Sequence, residues 1–394
     1  RDVDFQDPFY NASASDYVNQ SDWLSPNKRF SLFANGDYLF NDENDTRFYY
    51  EALYAQRASD VFNNGAQFFQ GIIPADHPLN ICGTDPINGN NCYATTGLDA
   101  FFGDERLDIQ PIISVRGDRE NSEVDVSQFR LAAGLNGNIG LLDGFGEGNW
   151  TYELSATHSA SDGKNTISGI SQARIDQSLN NAVRNADGSI TCGTDCVVVD
   201  LLSPTLYQLG AGDFATQAER DFLFIDRIIE TEVKQTVFGG FITGDLFNLP
   251  WNDQTVPLVV GAEWRKDEII TDANDVAADG LLAGFFSDQG ADGSRIIREV
   301  FFETEFPLLR GQEYAEELTV TAAGRITEES FYSAEQIWSL KGIYRPNEWL
   351  TIRGTRGTSY RAPNLRERFL NGTSGFGTVF DPCVVPEAAR VGNI

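Results

Sequence analysis

Apolar and polar residues alternate one by one in about ten separate segments of this 394-residue chain. The clearest segment runs from Trp150 to Ser159, and its apolar positions are Trp150, Tyr152, Leu154, Ala156 and His158. Successive side chains of a β-strand point to opposite faces, so a period of two is typical of a half-buried strand. The pattern therefore predicts an all-β fold of about ten strands.

The connections between these segments alternate between short and long for most of the chain. Short turns include Asn41–Asp45 and Phe247–Gln254, whereas long polar stretches run from Ala58 to about Glu120, from Ala160 to about Arg227 and from Asp267 to Arg295. A soluble β-sandwich has no reason to collect its long connections at one end. A transmembrane barrel does, because it has short periplasmic turns and long extracellular loops. This asymmetry favours an antiparallel transmembrane β-barrel.

Composition narrows the classes of partner and of protein. The net charge of −29 argues against a nucleic-acid partner, because phosphate binding needs a basic face. No apolar run approaches the ~20 residues of a membrane-spanning helix, but a transmembrane barrel needs none, since only alternate residues face lipid. The sequence has no methionine and no signal peptide, which predicts an internal piece of a longer precursor.

Four of the five cysteines form two closely spaced pairs in polar, turn-rich stretches. Cys82 with Cys92, and Cys192 with Cys196, are predicted to form local disulfides in an oxidising compartment. A metal site is the alternative, but neither pair has a second cysteine pair or a histidine at zinc spacing. Cys383 is left over, and we expect its partner to lie beyond Ile394.

Residues for catalysis are not apparent. The two histidines, His77 and His158, fall in a long connection and on the apolar side of a strand, and no Gly-x-Ser-x-Gly or phosphate-binding motif occurs. With 58 acidic residues, a chance pair of carboxylates carries little weight. We therefore predict that the chain is not an enzyme and holds no cofactor.

A hairpin near the end of the chain is followed by a distinctive motif. The run from Gly342 to Gly354 reads G-x-Y-x-P-x-x-W-L-T-I-R-G, and it precedes Tyr360, Arg361, Ala362, Pro363, Asn364 and Leu365. This arrangement resembles the late-barrel segment of TonB-dependent outer-membrane receptors, in which a strand ends in an aromatic-Arg-Ala-Pro-Asn-Leu signature. The phrases from Gly244 to Trp251 and from Val260 to Lys266 resemble the same family in the same order.

The resemblance implies both a fold and a function. Plugged transporters of this kind have about 22 strands, so residues 1–394 are predicted to be a partial barrel domain without the plug domain. Membership implies a Gram-negative outer membrane with its lipid and lipopolysaccharide, and import of a scarce nutrient: siderophore-bound iron, cobalamin, a saccharide or a peptide. The energy comes from the TonB–ExbB–ExbD complex through the absent plug. A passive porin or structural barrel, and a secreted all-β binding module such as a lectin-like sandwich, are the alternatives.

Three sets of residues follow as candidate functional sites. Charged residues at the polar strand positions are predicted to face the lumen and contact the plug, because charges facing lipid are costly: Glu51, Arg57, Arg130, Glu153, Glu263, Arg265, Arg325 and Arg353. Loop aromatics are predicted to bind ligand, with packing between loops as the favoured alternative: Phe68, Phe69, Tyr93, Phe101, Phe102, Tyr207, Phe285 and Phe286. Asp272, Asn274, Asp275 and Asp279 supply oxygen atoms suited to Ca²⁺, but their spacing does not fit an EF-hand, so an ordinary acidic loop is favoured.

Overall fold

The computed structural model describes residue 22 and the ranges 24–40, 43–61, 66–68, 71–118, 121–142, 144–207 and 212–375. In chain order its strands are β1 (Asn27–Leu39), β2 (Arg47–Val61), β3 (Ala66–Phe68), β4 (Ile113–Val115), β5 (Ser122–Asn138), β6 (Gly148–Ile170), β7 (Val183–Arg184), β8 (Ile190–Thr191), β9 (Phe224–Asn248), β10 (Thr255–Ala273), β11 (Asp292–Gln312), β12 (Ala315–Glu329), β13 (Tyr332–Asn347) and β14 (Leu350–Gly357). Among the described residues, ten of these strands form one sheet, in the order β1-β2-β5-β6-β9-β10-β11-β12-β13-β14. Every neighbouring pair is antiparallel. The all-β prediction, with about ten strands, is confirmed.

Short helices lie in the connections. They are α1 (Cys92–Thr96), α2 (Asp99–Phe102), α3 (Gln172–Asn181), α4 (Gln217–Leu223), α5 (Asp275–Ala278) and α6 (Leu365–Phe369). α4 begins with a capping box, in which the Thr216 side chain accepts a hydrogen bond from the Glu219 backbone and Glu219 accepts one in return. Among the described residues, no helix has the length and apolar character that crossing a membrane would demand.

Long and short connections collect at opposite ends of the sheet, as the sequence predicts, with one exception. The short end has the connections 40–46, 139–147, 249–254, 313–314 and 348–349. The long end has the connections 62–121, 171–223 and 274–291, but the link between β12 and β13 at this end is only 330–331.

Several strands continue well past their predicted ends. β6 runs on to Ile170 and β9 starts at Phe224, so the connection between them is shorter than the sequence suggested. The extension of β6 is mainly polar on both faces, and that of β9 mixes apolar and charged residues on both faces, so neither shows the alternation. A strand needs only about 9–11 residues to cross a bilayer, so the 23 residues of β6 and the 25 of β9 are long enough to project beyond it.

The strand register separates the two faces of the sheet. One face, here called the apolar face, carries large side chains that are at least one-third exposed, including Leu32, Tyr50, Leu131, Leu154, Phe238, Val260, Val300, Phe302, Ile326, Trp338 and Leu340. Soluble monomers rarely leave so broad an apolar patch exposed. A face that contacts lipid is the physical explanation for its composition.

The hydrophobic core lies in the long connections. Its buried side chains include Ile73, Ile113, Val115, Ile175, Leu179, Val199, Leu201, Leu206, Phe214 and Leu223. These residues come from the connections 62–121 and 171–223, which pack together at the long end of the sheet. We call this packed region the loop layer.

The sheet is not closed. Among the described residues, neither β1 nor β14 pairs with a second strand of the sheet. Unpaired edges expose backbone donors and acceptors, which a membrane-spanning sheet must satisfy by closing. The architecture is therefore that of a barrel fragment.

Candidate functional site

The loop layer is held together by two disulfides and an ion pair. Cys82–Cys92 and Cys192–Cys196 are bonded, which confirms the predicted pairing. Arg184 donates from Nε to Asp85 Oδ2 at 2.8 Å and from Nη2 to Asp85 Oδ1 at 3.2 Å. This hydrogen bonding from Arg184 lowers the pKa of Asp85 to about 2. Since the two residues belong to different long connections, the pair joins these connections into one unit.

A second charged contact joins the same two connections. Arg220 Nη1 donates to Asp213 Oδ1 at 2.7 Å and to the Arg116 carbonyl at 3.0 Å. Its guanidinium also lies 4.1 Å from the centre of the Phe224 ring. Arg220 therefore fixes the start of β9 against the loop layer.

His77 is a buried histidine of the loop layer, in which Asp85, Asp118 and Glu219 are also buried. Its side chain is 2% exposed, and its Nδ1 accepts a hydrogen bond from the Leu79 backbone at 3.1 Å. The proton of the neutral ring therefore sits on Nε2, which has no partner among the described residues. Burial lowers the pKa of His77, although the charge of Asp76 opposes the shift.

Three of the predicted ligand-binding aromatics lie in one segment of the loop layer. α1 and α2 bring Tyr93 and Phe102 into a stacked pair with ring centres 4.8 Å apart. Phe101 beside them is 82% exposed and Phe102 is 54% exposed. These rings present an open aromatic surface of the kind that stacks on planar or sugar-like groups.

The other predicted aromatics have different surroundings. Tyr207 donates its hydroxyl to the Leu201 carbonyl at 2.8 Å, and the Arg227 guanidinium lies 5.6 Å from the centre of the Phe285 ring. Phe286 is 39% exposed. Phe69 lies outside the described residues, and of Phe68 only the backbone, in β3, is described.

The acidic loop considered for Ca²⁺ is organised by Asn274. Its Oδ1 accepts from the backbone of Ala277 at 3.0 Å and of Ile228 at 3.1 Å, and its Nδ2 donates to the Asp226 carbonyl at 2.9 Å. This side chain caps α5 and ties the loop to β9. In the described part of the chain, no group of three His, Cys, Asp or Glu residues is placed to hold a metal ion, and Asp272, Asp275 and Asp279 form no such group.

The eight strand charges predicted to face the lumen share one face of the sheet, opposite Leu154 and Phe238. The registers of successive strand pairs place them there: Glu51, Arg57, Arg130, Glu153, Glu263, Arg265, Arg325 and Arg353. We call this side the charged face. Arg130 pairs with Glu51 at 3.0 Å, and Arg325 pairs with Glu299 at 2.7 Å.

The signature motif folds back across the charged face. Arg295, on β11, donates from Nη1 to the Pro363 carbonyl at 2.6 Å and from Nε to Asp267 at 3.0 Å. Arg295 also lies 3.7 Å from Glu329, to which the Tyr360 hydroxyl donates at 3.4 Å. The side chains of Asp267 and Glu329 are 8% and 1% exposed, so each needs a compensating partner.

Other residues of the signature motif, and those that follow it, also contact one another and the sheet connections. Asn364 and Glu367 form a capping box at the start of α6, and Arg361 pairs with Glu367 at 2.7 Å. Arg366 then reaches Asp288, in the connection between β10 and β11, at 2.6 Å. The residues from Tyr360 to Arg366 are therefore a clasp that carries the chain from the end of β14 back over β12 and β11.

Sequence reasoning did not identify Arg184, Arg295 or Asp288 as important. Their partners are 99, 68 and 78 residues away along the chain. A contact at such a separation leaves no periodic signal. The only local hint was that Arg184 lies close to the cysteine pair in a polar stretch.

Comparison with known proteins supplies the context for this geometry. Residues 113–389 match the family model described as "TonB dependent receptor-like, beta-barrel". A stretch of 112 residues is 29% identical to "Vitamin B12 transporter BtuB" of Vibrio vulnificus (strain CMCP6) and covers 28% of this chain. The match spans 16% of the length of that relative.

Proposed function

The chain belongs to the TonB-dependent receptor β-barrel family, and we propose that it is part of an outer-membrane receptor that captures a scarce nutrient and imports it. The observation that carries the proposal is the division of one antiparallel sheet into an exposed apolar face and a charged face. Such a sheet suits lipid on one side and a polar interior on the other. The outer membrane of a Gram-negative bacterium is the setting that this family implies.

Capture is assigned to the loop layer. The Tyr93–Phe102 stack and exposed Phe101 offer an aromatic surface on a unit that disulfides and the Arg184–Asp85 pair hold rigid. A preorganised surface loses less entropy when it binds a ligand. Because one relative is a vitamin B12 transporter, cobalamin leads a panel that also contains siderophore-bound iron, a saccharide and a peptide.

Import is assigned to coupling with the TonB–ExbB–ExbD complex. The coupling acts through a plug domain outside residues 1–394, and the charged face is the surface that this domain contacts. A barrel without such a domain would conduct small solutes passively, whereas an energised receptor moves a bound ligand against its gradient.

The test is uptake of each labelled ligand by cells that produce the complete receptor. We expect saturable accumulation of one ligand, abolished by a protonophore and by deletion of the energy-transducing complex. Phe101→Ala/Phe102→Ala should weaken binding of that ligand about tenfold or more, since each aromatic stack contributes roughly 1 kcal/mol. Phe145→Ala, at an exposed ring of the short end, is the matched control. Uptake that persists without the energy source would identify a passive pore.

A further inference from the structure

Two arginines converge on one carboxylate where the clasp meets the connection between β10 and β11. Arg366 Nη2 lies 2.6 Å from Asp288 Oδ2, and Nη2 of Arg227, near the start of β9, lies 3.8 Å from the same oxygen atom. Among the described residues, Asp288 is the only carboxylate within ion-pair distance of either guanidinium. Positive charge is therefore in excess here, although the whole chain has a net charge of −29. We call this group the arginine cluster, and it consists of Arg227, Arg366, Asp288 and the nearby Phe285 ring.

Arg227 is the incompletely paired member of the arginine cluster. Its side chain is 12% exposed, and its guanidinium donates no hydrogen bond to any residue that the structure describes. The 3.8 Å contact with Asp288 is too long for a hydrogen bond. The Phe285 ring, with its centre 5.6 Å away, attracts the cation but accepts no strong hydrogen bond. A guanidinium has five N–H donors, and burying them without acceptors is costly, so Arg227 still needs an acceptor.

The arginine cluster lies at the long end of the sheet and is open on one side. The strand register puts Arg227 on the charged face. Arg366 is 47% exposed and Phe286, beside Phe285, is 39% exposed. The access to Arg227 is narrow, so it suits a small chemical group rather than the flat surface of a folded domain. Phe285 and Phe286 are also among the aromatics that the sequence predicts to bind ligand.

We propose that the arginine cluster binds an oxyanion group, a carboxylate or a phosphate, of the nutrient that the receptor captures. The planar donor fork of arginine matches the geometry of both groups. An oxyanion beside Arg227 and Arg366 supplies the acceptors that the single Asp288 carboxylate does not, and it offsets the excess positive charge. The inference rests on the proposed function and narrows it, because it makes the nutrient an anion.

Opposite effects of two substitutions distinguish binding from a structural role. Arg227→Gln removes one cation and should weaken binding of the anion about tenfold, because a hydrogen bond to a charged group contributes that much. Asp288→Asn keeps an acceptor for the Gly290 backbone N–H, now 3.0 Å from Asp288 Oδ1, but frees both guanidiniums. It should therefore tighten binding several-fold. A loss of affinity in both variants would instead mean that the cluster only holds the clasp in place.

The first measurement uses inorganic phosphate and acetate as probes on the complete receptor. Phenylglyoxal modifies accessible arginines, and mass spectrometry gives the rate at each one. Either ion, at about twice its dissociation constant, should slow modification of Arg366 about threefold. Arg361, which is 74% exposed and pairs with Glu367, is the internal control and should react at an unchanged rate. The ion that protects at the lower concentration identifies the preferred group, and protection by neither ion overturns the proposal.

The second measurement offers each class of nutrient in a charged and a neutral form. The pairs are a peptide with a free or amidated carboxyl terminus, an acidic saccharide and its methyl ester, an anionic and a neutral iron chelate, and cobalamin and cobinamide, which lacks the phosphate. The charged member of one pair should bind about tenfold more tightly, and Arg227→Gln should remove this preference. Arg298→Gln, at an exposed arginine of the apolar face, should keep it. A gel-mobility shift on boiling verifies that each variant has a folded barrel.

The outcomes separate the two proposals. Energy-dependent uptake of a nutrient whose charged and neutral forms bind equally, with no change in Asp288→Asn, overturns the oxyanion site and leaves the importer intact. Protection of Arg366 by phosphate or acetate, in a receptor that accumulates no ligand in an energy-dependent way, leaves the oxyanion site and overturns the importer.

Discussion

Single residues of the loop layer are placed so that one substitution should have a measurable effect. Asp85 is nearly inaccessible and depends on Arg184, while His77 holds a buried nitrogen without a partner in the described structure. Burial makes such groups sensitive, because a buried charge without its partner cannot be solvated by water. Two predictions follow at this scale.

Arg184→Ala should loosen the loop layer without unfolding the sheet. It leaves the Asp85 carboxylate buried and unpaired, and breaking a buried pair costs about 3 kcal/mol. Amide hydrogen exchange in both disulfide-bonded segments should therefore accelerate. Arg298→Ala removes an exposed arginine of the apolar face, which pairs with Glu328 at 3.5 Å, and should change this exchange little.

The stability of the loop layer should fall as the pH drops below 6.5. Since burial lowers the pKa of His77, the folded state favours the neutral ring; its contribution is complete above the unfolded pKa of about 6.5 and is lost as the pH falls through the folded value. Amide exchange around residues 74–80, compared between pH 8 and pH 5.5, measures the effect. His77→Gln should remove this pH dependence, and an unchanged dependence would assign it to another group.

At the scale of elements, strand alternation and the clasp have separate roles. Adjacent residues of one strand meet different surroundings, because the pleat turns them to opposite faces. The clasp attaches the segment after β14 to β11 through Arg295, so it depends on side chains that the alternation does not place. Each element can be tested with a pair of neighbouring residues.

Leu154→Lys should destabilise the barrel far more than Ser155→Lys does. Leu154 lies on the apolar face and is 54% exposed, whereas Ser155 lies on the charged face. A lysine facing lipid near the bilayer centre costs about 2–4 kcal/mol. Reversible unfolding of the complete barrel from lipid bilayers gives the difference, and equal losses for both variants would contradict a lipid-facing apolar face.

Arg295→Ala should release the clasp. It removes one ion-pair partner each from Asp267 and Glu329, which keep Arg265 and the Tyr360 hydroxyl respectively, and the hydrogen bond to the Pro363 carbonyl, a loss on the order of 3 kcal/mol. Limited proteolysis should then cut within residues 358–375 faster than in the wild type. Arg298→Ala, on the same strand but on the apolar face, serves as the control and should leave the cutting rate unchanged.

The whole molecule combines a membrane-type sheet with a folded loop layer. The apolar face lacks a covering layer in the described structure, while the hydrophobic core gathers at the long end. A soluble sandwich would bury its apolar face between two sheets. This distribution suits a barrel whose loops make a separate packed structure outside the bilayer.

The complete receptor should therefore need detergent for extraction and should migrate differently on a gel before and after boiling. Closed barrels satisfy all their backbone hydrogen bonds and resist unfolding at room temperature. A water-soluble protein with a single gel mobility would instead support the secreted binding module.

The faces on which strand side chains lie and the two disulfides can be predicted from local sequence. The alternation from Trp150 to Ser159 fixes which side chains of that strand share a face, and the registers of the paired strands then place Glu51, Arg130 and Glu263 on one side of the sheet. Short spacing alone also predicts the Cys82–Cys92 and Cys192–Cys196 bonds. These features depend on residues close together in the chain, so local geometry is sufficient to predict them.

Tertiary structure alone decided how far the strands extend, how the loop layer packs and what the signature motif contacts. The sequence marked Tyr360 to Leu365 as distinctive, but only the fold brings Arg295 to the Pro363 carbonyl and Arg184 to Asp85. These hydrogen-bond partners depend on which distant segments of the chain come into contact in the folded protein. The alternation of side chains along a strand carries no information about that meeting.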